Sequence, residues 1–275
     1  LLVKDLIKIT KISNLCLAGG VHMNCKLNGI LADLPEIKNI YIQPASSDNG
    51  VALGAAMLSA KNDKGKFLRM EHCYYGNGFT NNEIKSYLKE SKIKFKKVKN
   101  IEKQIASKLS KGKIIGWFQG KMEWGARALG NRSILADARN PKIKDIINSK
   151  IKRRESFRPF APAILREFTD EWFEINKDVP YMSEVYKLLE KHIKKIPGIT
   201  HVDGTGRLQT VSELNNLKFY NLINTFYKKT KIPLILNTSF NENEPIVESP
   251  EQAINCFLRT EMDMLVLENW IILRK

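Results

Sequence analysis

The sequence predicts a mixed α/β protein in two parts, and three observations carry this prediction. Strand-like apolar runs alternate with segments whose apolar residues recur at helical spacing. A polar interval near residues 62–80 interrupts this alternation, and the pattern then starts again. At 275 residues, of which 43% are hydrophobic, the chain is long enough for one large core or two smaller ones. We therefore expect one part over residues 1–70 and a second over residues 71–275.

The first part is expected to alternate helices and strands with short connections. A helix precedes the strand Asn14–Ala18, and a Gly-Gly turn and a second helix follow it. The strand Asn39–Gln43 and a helix over about Asp48–Ala60 complete the pattern. The chain begins with Leu and reaches its first strand after little preceding structure, so we expect it to be the later part of a longer polypeptide.

The second part is expected to hold further helices and several short strands. Helices are predicted at Asn82–Lys89 and Ile101–Ser110. Asn140 and Pro141 are predicted as the N-cap and first residue of another helix, and Ser249–Gln252 as the capping box of the last one. Strands are predicted at Lys113–Phe118, Ala163–Arg166, Ile199–Val202, Leu208–Val211, Pro233–Leu236 and within Met264–Leu273.

Composition limits the classes of partner and compartment. The 45 Lys and Arg residues against 29 Asp and Glu give a net charge of +16, which indicates anionic substrates or nucleic acid, although dispersed lysines such as those of Lys92–Lys97 also serve solubility. No run of about 18 apolar residues and no signal peptide pattern are found, so we expect a cytoplasmic protein without a membrane span. Cys16, Cys25, Cys73 and Cys256 form no CxxC pair, which predicts neither zinc nor disulfides, with Cys16 and Cys256 as buried thiols.

The most specific chemical signal is a glycine-rich basic run, Gly116–Ser133, followed by a second basic run, Lys150–Pro162. The cations and hydroxyls that they place around glycines are Lys121, Arg127, Arg132, Arg153, Arg154, Arg158, Ser133 and Ser156. Converging guanidinium groups are suited to phosphate or acyl phosphate, and glycines let a ligand approach the backbone. The alternative, a solvated basic face, would scatter lysines at helical spacing. We expect Glu123 and Glu155 to pair with the arginines and hold them in place.

Two further motifs lie in the first part. Gly19 and Gly20 end a strand and precede a helix, where backbone N–H groups can face a nucleotide, although a tight turn explains the same residues. Asp48 stands at the beginning of a helix, and it is either an N-cap or a metal ligand. His22 is the only histidine near it, so the spacing of a complete metal site is missing.

Polar residues also cluster at two predicted strand edges in the second part. They exceed what turns alone require, and we favour a shared polar pocket over structural turns. His201 alone is more often a hydrogen-bonded core residue than a base. The clustered side chains are Asp203, Thr205, Arg207, Gln209, Asn237, Thr238, Ser239 and Asn241.

The order of these motifs resembles that of the NodU/CmcH/TobZ carbamoyltransferases over nearly the whole chain. The matching segments are Leu17-Ala-Gly-Gly, Ser47-Asp-Asn-Gly, Gly120–Asp137, Arg154–Pro162, His201–Val211 and Leu236–Glu242. The resemblance implies that residues 1–70 are the end of an actin-like ATPase-type domain, the fold of sugar kinases and heat-shock ATPases. It also implies that residues 71–275 are a YrdC-like α/β domain.

The resemblance further implies an activity. Carbamoyl phosphate and ATP would give a carbamoyl-adenylate, from which the carbamoyl group passes to a hydroxyl of a sugar or secondary-metabolite acceptor. In that reaction the protein neutralises and orients oxygens and supplies no covalent nucleophile. The acceptor itself is not predicted, no membrane or nucleic acid partner is expected, and a homodimer is among the expectations.

Site residues follow from the same resemblance. It implies Gly19 and Gly20 as adenylate contacts and Asp48 as a ligand of a divalent metal, iron or magnesium. The residues expected to line the anion pocket are Lys121, Arg127, Arg132, Arg158 and Lys150, with Ser133, Asn237 and Ser239 as further contacts of the nucleotide. The family's metal-binding histidines are expected before Leu1, so this chain alone is not expected to complete the transfer and is expected to expose apolar surface.

Two other functions compete with this interpretation. A YrdC-type enzyme acting on tRNA would use the net charge of +16 and would bind tRNA with a steep salt dependence. A non-catalytic nucleotide-binding module would dock a partner and would show no carbamoyl-phosphate-dependent ATP/pyrophosphate exchange.

Overall fold

A computed structural model describes residues 1–65 and 70–274, and it confirms the predicted mixed α/β class. The predicted linker near residues 62–80 lies partly outside the described residues, and the division at residue 70 stays a prediction. In the first part, β1 pairs with β2 in parallel. Its elements are α1 (Leu2–Thr10), β1 (Asn14–Leu17), a 3-10 turn (Gly20–Met23), α2 (Cys25–Ala32), β2 (Asn39–Ile42) and α3 (Asn49–Lys64).

Local sequence explains where these helices begin and end. The Asn24 side chain accepts the N–H groups of Lys26 and Leu27 and so caps α2. Asp48 precedes α3 at the cap position, but its side chain makes no capping hydrogen bond. The helix α3 ends at Gly65, whose φ of 67° lies in the left-handed region that favours glycine.

The second part is built on one mixed sheet of nine strands. Its helices are α4 (Asn81–Glu90), α5 (Ile101–Leu109), α6 (Ile143–Ile147), α7 (Thr169–Trp172), α8 (Glu190–Ile193), α9 (Glu213–Thr230) and α10 (Pro250–Arg259). Its strands are β3 (Phe95–Lys97), β4 (Ile115–Phe118), β5 (Arg132–Ala136), β6 (Ala161–Leu165), β7 (Glu184–Lys187), β8 (Thr205–Val211), β9 (Leu234–Ser239), β10 (Met264–Leu267) and β11 (Trp270–Leu273). A π-helical turn, Asn148–Lys152, continues α6, and a 3-10 turn, Arg166–Phe168, precedes α7.

The strands lie in the order β3, β11, β10, β4, β5, β9, β6, β8, β7. Only β4 with β10 and β6 with β8 pair in parallel, and the other neighbours are antiparallel. Every residue of β4, β5, β6 and β10 is buried, because helices cover the centre of the sheet. The pairing of β5, β9, β6 and β8 brings their ends together, and the candidate site lies there.

The helix α2 joins the two parts through one of its faces. Its buried residues, Cys25, Asn28 and Gly29, follow helical spacing and meet the backbone that leads into β7. The amide of Asn28 donates to the Ser183 carbonyl oxygen at 2.8 Å. A Cβ on Gly29 would lie 2.5 Å from the Val185 carbonyl oxygen, so only glycine allows this approach.

Several sequence predictions agree with the structure, and three do not. The capping box of Ser249 and Gln252 is confirmed. Residues Ile199–Val202 form turns and no strand, and the strand begins only at Thr205, after the turn at Gly204. The helix predicted to open at Asn140 and Pro141 begins at Ile143, although Asn140 accepts the Lys142 N–H with its side chain, as an N-cap does. Cys16 is exposed, whereas its burial was predicted.

Across residues 1–65 and 70–274, no helix is both long enough and apolar enough to cross a membrane.

Candidate functional site

Two adjoining cavities open where β8, β9 and the segment before β6 meet. One has a volume of about 290 Å³ and is lined by Arg127, Arg154, Arg158, Arg207, Thr238 and Ser239, among others. The other has a volume of about 420 Å³ and is lined by Lys152, Arg153, Arg154, Arg158, Ser239 and Asn241, among others. They share Arg154, Arg158 and Ser239, so we treat them as one cavity, the arginine cleft.

The cations of the arginine cleft come from three separate places in the chain. Arg127 lies in the glycine-rich loop between β4 and β5, and Arg207 lies on β8. Arg154 and Arg158 follow the π-helical turn and precede β6, and Lys152 is the last residue of that turn. Basic side chains that are far apart in sequence therefore meet at one place, which is the arrangement that binds an anion with several negatively charged oxygens.

Lys152 is the most buried cation of the cleft, with 2% of its surface exposed. Its ammonium donates to the carbonyl and hydroxyl oxygens of Ser239 at 2.6 and 3.1 Å. It also donates to the carbonyl and side-chain oxygens of Asn241 at 2.8 and 2.7 Å. Burial, together with repulsion from Arg154, lowers the pKa of Lys152 to about 7. This ammonium therefore titrates near neutral pH.

Lys150 was predicted to line the pocket, but it does not line the arginine cleft, whereas Lys152 does. Lys150 is exposed and pairs with Glu261 at 2.8 Å, outside the cleft. In a regular α-helix, Lys150 would lie on the same buried face as Ile143, because it follows Ile143 by seven residues. The π-helical turn adds one residue, so the position five residues after Ile147 turns inward. Nothing in the sequence signalled that turn.

Arg127 and Arg207 face each other across the smaller cavity. One terminal nitrogen of Arg127 donates to the Met23 carbonyl oxygen at 3.1 Å and lies 3.5 Å from the sulfur of Cys25. Burial, and next the positive charge of Arg127, lower the pKa of Arg207 to about 10. A bound anion would relieve this repulsion, so the pair is poised for a negative ligand.

Arg154 and Arg158 form the wall that both cavities share. Nε of Arg154 donates to the Asn148 side chain at 2.8 Å, and burial followed by the charge of Arg158 lowers the pKa of Arg154. Arg158 is more exposed and pairs with Glu155 at 2.9 Å. The prediction that Glu155 holds an arginine agrees with this contact.

Glu123 does not pair with an arginine side chain, contrary to the prediction. One carboxylate oxygen accepts the backbone N–H groups of Leu129, Asn131 and Arg132 at 2.6, 2.8 and 3.3 Å. Burial raises the pKa of Glu123, although these bonds oppose the rise. The carboxylate therefore shapes the glycine-rich loop that carries Arg127.

The structure does not bring Arg132 or Lys121 into the cleft. Arg132 is fully buried, and its guanidinium lies over the Phe118 ring and donates to the carbonyl oxygens of Asn77, Gln119, Gly120 and Asn131. With its terminal nitrogens occupied by carbonyls, Arg132 is a structural residue. Lys121 is exposed beside Gly78 and lines neither cavity.

Of the three predicted polar contacts of the nucleotide, only Ser239 lines the cleft. The hydroxyl of Ser133 is buried and accepts the Gly130 N–H at 3.0 Å. The amide of Asn237 is buried and donates to Gln209 and to the Ala128 carbonyl oxygen at 2.8 and 3.2 Å. Both side chains therefore support the glycine-rich loop that carries Arg127.

The predicted shared polar pocket is divided by the structure. Arg207, Thr238, Ser239 and Asn241 reach the arginine cleft. Asp203 instead accepts the Thr205 hydroxyl at 2.6 Å and pairs with Lys26 at the surface. Asp203 and Thr205 therefore stabilise the turn before β8.

The residues expected to bind adenylate and metal lie in the first part and line neither cavity of the cleft. Gly19 has a φ of 99° and donates its N–H to the Ser46 carbonyl oxygen. A Cβ on the neighbouring Gly20 would lie 3.8 Å from the Ser47 hydroxyl. Asp48 is exposed, and within the described ranges no three His, Cys, Asp or Glu side chains group to hold a metal ion. The role of Asp48 as a ligand of a divalent metal stays a prediction.

A larger groove of about 1150 Å³ lies between the two parts, and its chemistry differs. Its described lining includes Tyr41, His72, Asp178, Tyr181 and Glu184, and it contains neither Lys nor Arg. The arginine cleft also contains the carboxylates Glu155 and Glu242, but both are paired with arginines and the cleft has more cations than carboxylates, so it is the better anion site of the two.

Comparisons with known proteins agree with the order of the motifs. The sequence profile described as Carbamoyltransferase N-terminus matches residues 2–57, and the profile described as Carbamoyltransferase C-terminus matches residues 106–274. The chain is 42% identical to the uncharacterised protein sll1178 of Synechocystis, over 95% of this chain and 48% of that protein. It is also 42% identical to nodulation protein NolO of Bradyrhizobium diazoefficiens, over 98% of this chain and 50% of that protein.

A solved structure, full-length HypF in its phosphate- and nucleotide-bound form, is similar at 15% identity and a TM-score of 0.43 over 88% of this chain and 37% of that one. The chain spans about half the length of the two curated relatives named above. The C-terminus profile alone matches more than half of the 275 residues. On the profile matches and these identities, the chain belongs to the carbamoyltransferase family.

Proposed function

We propose that the arginine cleft binds carbamoyl phosphate and ATP and that the chain contributes to O-carbamoyl transfer. Carbamoyl phosphate would be hydrolysed to carbamate and phosphate, and the carbamate would displace pyrophosphate from ATP to give a carbamoyl-adenylate. A hydroxyl of a sugar or secondary-metabolite acceptor would then take the carbamoyl group and release AMP. The observation that carries this proposal is the convergence of Arg127, Arg154, Arg158, Arg207 and Lys152 on one cleft. Family membership supports the reaction class.

The charge of the cleft suits such a ligand. Three side chains of the cleft, Lys152, Arg154 and Arg207, have lowered pKa values because burial and neighbouring cations disfavour their charged forms. A phosphate ligand would supply the missing negative charge and raise all three pKa values. Its binding would therefore be driven by relief of repulsion as well as by charge-assisted hydrogen bonds.

The same groups suit the chemistry of the transfer. A carbamoyl group bound to phosphate or adenylate already carries its leaving group, so the cleft needs to orient oxygens and neutralise developing charge. Arg127 and Arg207 would hold one anionic group in the smaller cavity, and Lys152 with Arg158 would face another in the larger one. Ser239 borders both cavities and would donate its hydroxyl to the ligand between them. No step is assigned to a metal.

Isotope exchange tests the proposal. The chain should exchange labelled pyrophosphate into ATP only when carbamoyl phosphate is present, and Arg127→Ala should abolish the exchange. Arg166→Ala is the matched control, because Arg166 pairs with Asp178 and lines neither cavity of the cleft. Exchange that persists in Arg127→Ala, or that never depends on carbamoyl phosphate, would overturn the proposal.

A further inference from the structure

Cys25 is a buried thiol that contacts the arginine cleft from the first part of the chain. It is the first residue of α2, and 8% of its surface is exposed. Its sulfur lies 3.1 Å from the Met182 carbonyl oxygen, to which the thiol donates. Arg127 donates to the same sulfur at 3.5 Å. One sulfur thus joins the backbone at Met182 to a guanidinium group of the cleft.

Hydrogen bonding explains how the side chain performs this task. A thiol offers one weak donor and weak acceptor lone pairs. With its proton directed to the Met182 carbonyl oxygen, the Cys25 sulfur presents a lone pair to Arg127. The same terminal nitrogen of Arg127 also donates to the Met23 carbonyl oxygen at 3.1 Å. Loss of the sulfur would leave this guanidinium with one of these two anchors.

The anchor of the sulfur belongs to the wall of the cleft. Met182 is buried, lines the smaller cavity and adopts a φ of 52°, which a non-glycine residue rarely takes. Two side chains of α2 hold this strained backbone. The Cys25 thiol donates to the Met182 carbonyl oxygen, and Asn28 donates to that of the next residue, Ser183. The α2 face therefore fixes both the backbone and one cation of the cleft.

We propose that Cys25 is a positioning residue of the arginine cleft, whose sulfur holds the Arg127 guanidinium in place for a phosphate ligand. This inference rests on the proposed function of the cleft. Cys25 acts through Arg127 and touches no substrate.

Two substitutions separate the hydrogen bonding of the sulfur from its volume. Cys25→Ser keeps a hydroxyl that donates and accepts at the same place. Cys25→Val keeps the bulk and removes every polar contact. Titration calorimetry with carbamoyl phosphate, and separately with inorganic phosphate, should give a dissociation constant about fivefold higher for Cys25→Val, with Cys25→Ser close to wild type. The thermal midpoints of both variants provide the control for folding.

A double substitution adds a readout that packing alone does not move. If Cys25 acts through Arg127, then Cys25→Val should change the dissociation constant for inorganic phosphate no further in an Arg127→Ala background. Absence of carbamoyl phosphate binding by the wild-type chain would overturn the proposed function and this inference together. Wild-type binding that Cys25→Val retains, or an equal loss on adding Cys25→Val to Arg127→Ala, would overturn the positioning role alone.

Discussion

The ammonium of Lys152 lies 2.6 Å from the carbonyl oxygen of Ser239, the residue that ends β9. This contact ties the π-helical turn to the sheet, because Lys152 also donates to both oxygens of Asn241 beyond the strand. A buried cation is thereby held at the floor of the arginine cleft by neutral acceptors only. Its charge is left for the ligand.

The first prediction concerns pH and Lys152. Because the pKa of Lys152 is lowered to about 7, and a bound anion raises it, binding takes up a proton once the free side chain is neutral. Sulfate affinity should therefore fall as pH rises from about 7 to 9. Sulfate is used because it does not titrate in this range. Calorimetry at each pH checks the slope, which Lys152→Met should remove; a slope that survives in Lys152→Met would contradict the assignment.

The second prediction ranks two arginines. Arg127→Ala should weaken carbamoyl phosphate or ATP binding by about 1.5–3 kcal/mol, the value of a lost charge-assisted bond. Arg158→Ala should cost less, toward about 1.5 kcal/mol, because Arg158 is more exposed and already pairs with Glu155. Calorimetry on both variants gives the order, with Arg166→Ala as the control. Unchanged binding in both would remove these residues from the site.

The third prediction treats Arg132 as structural. Arg132→Met should lower the free energy of unfolding by about 3 kcal/mol, because the carbonyl oxygens of Gln119 and Gly120 lose the guanidinium donor and those of Asn77 and Asn131 keep only a backbone N–H. Urea unfolding followed by circular dichroism measures the change. Lys121→Met, an exposed cation of the same glycine-rich run, serves as the comparison and should change stability little. A direct loss of phosphate affinity in a fully folded Arg132→Met would show that the residue does reach the ligand.

The fourth prediction compares a glycine in a crowded position, Gly29, with one in an open position, Gly54. Gly29→Ala should destabilise the protein by about 1–3 kcal/mol, because its Cβ would meet the Val185 carbonyl oxygen at 2.5 Å. Gly54→Ala in α3 should stabilise it by about 0.5–1 kcal/mol, since nothing lies within 4 Å of the added Cβ. Thermal unfolding of both variants measures the two changes in stability. Equal changes in stability would mean that α2 is not packed on β7 in this register.

The fifth prediction concerns Glu123. Burial raises its pKa above the ordinary value of 4.5, so the folded protein binds its proton more tightly than the unfolded chain. The contribution of Glu123 to stability should therefore decrease as pH rises above about 4.5. The difference in unfolding free energy between wild type and Glu123→Gln, measured from pH 4 to about 8, should shift in favour of the variant. A difference that is constant with pH would contradict the raised pKa.

The sequence was informative where local chemistry decides structure. The capping box at Ser249 and the strand at Ile115–Phe118 follow from residue types alone and agree with the structure. The strand β5 was missed, because Arg132 and Ser133 interrupt its apolar pattern with buried polar groups whose partners are distant in sequence. Only the tertiary fold supplies those carbonyl and N–H partners.

The candidate site shows the same division. Arg127 and Arg158 were predicted from the basic runs and do line the cleft, while their roles remain proposals. Lys152 was missed because a π-helical turn changes which residue faces inward. Arg132 was misplaced because sequence shows charge but not whether backbone carbonyls already occupy a guanidinium.

The contacts of Arg127 link the second part of the chain to the first. Its guanidinium donates to Met23 and Cys25, which lie about a hundred positions earlier in the sequence. Both residues fall within the segment matched by the Carbamoyltransferase N-terminus profile. The second part expressed without residues 1–65 would retain its nine-stranded sheet but leave this arginine unanchored. When the first part is replaced by that of a relative, Arg127 should keep this contact only if the turn Gly20–Met23 keeps its length. One inserted residue would displace the Met23 carbonyl to which Arg127 donates.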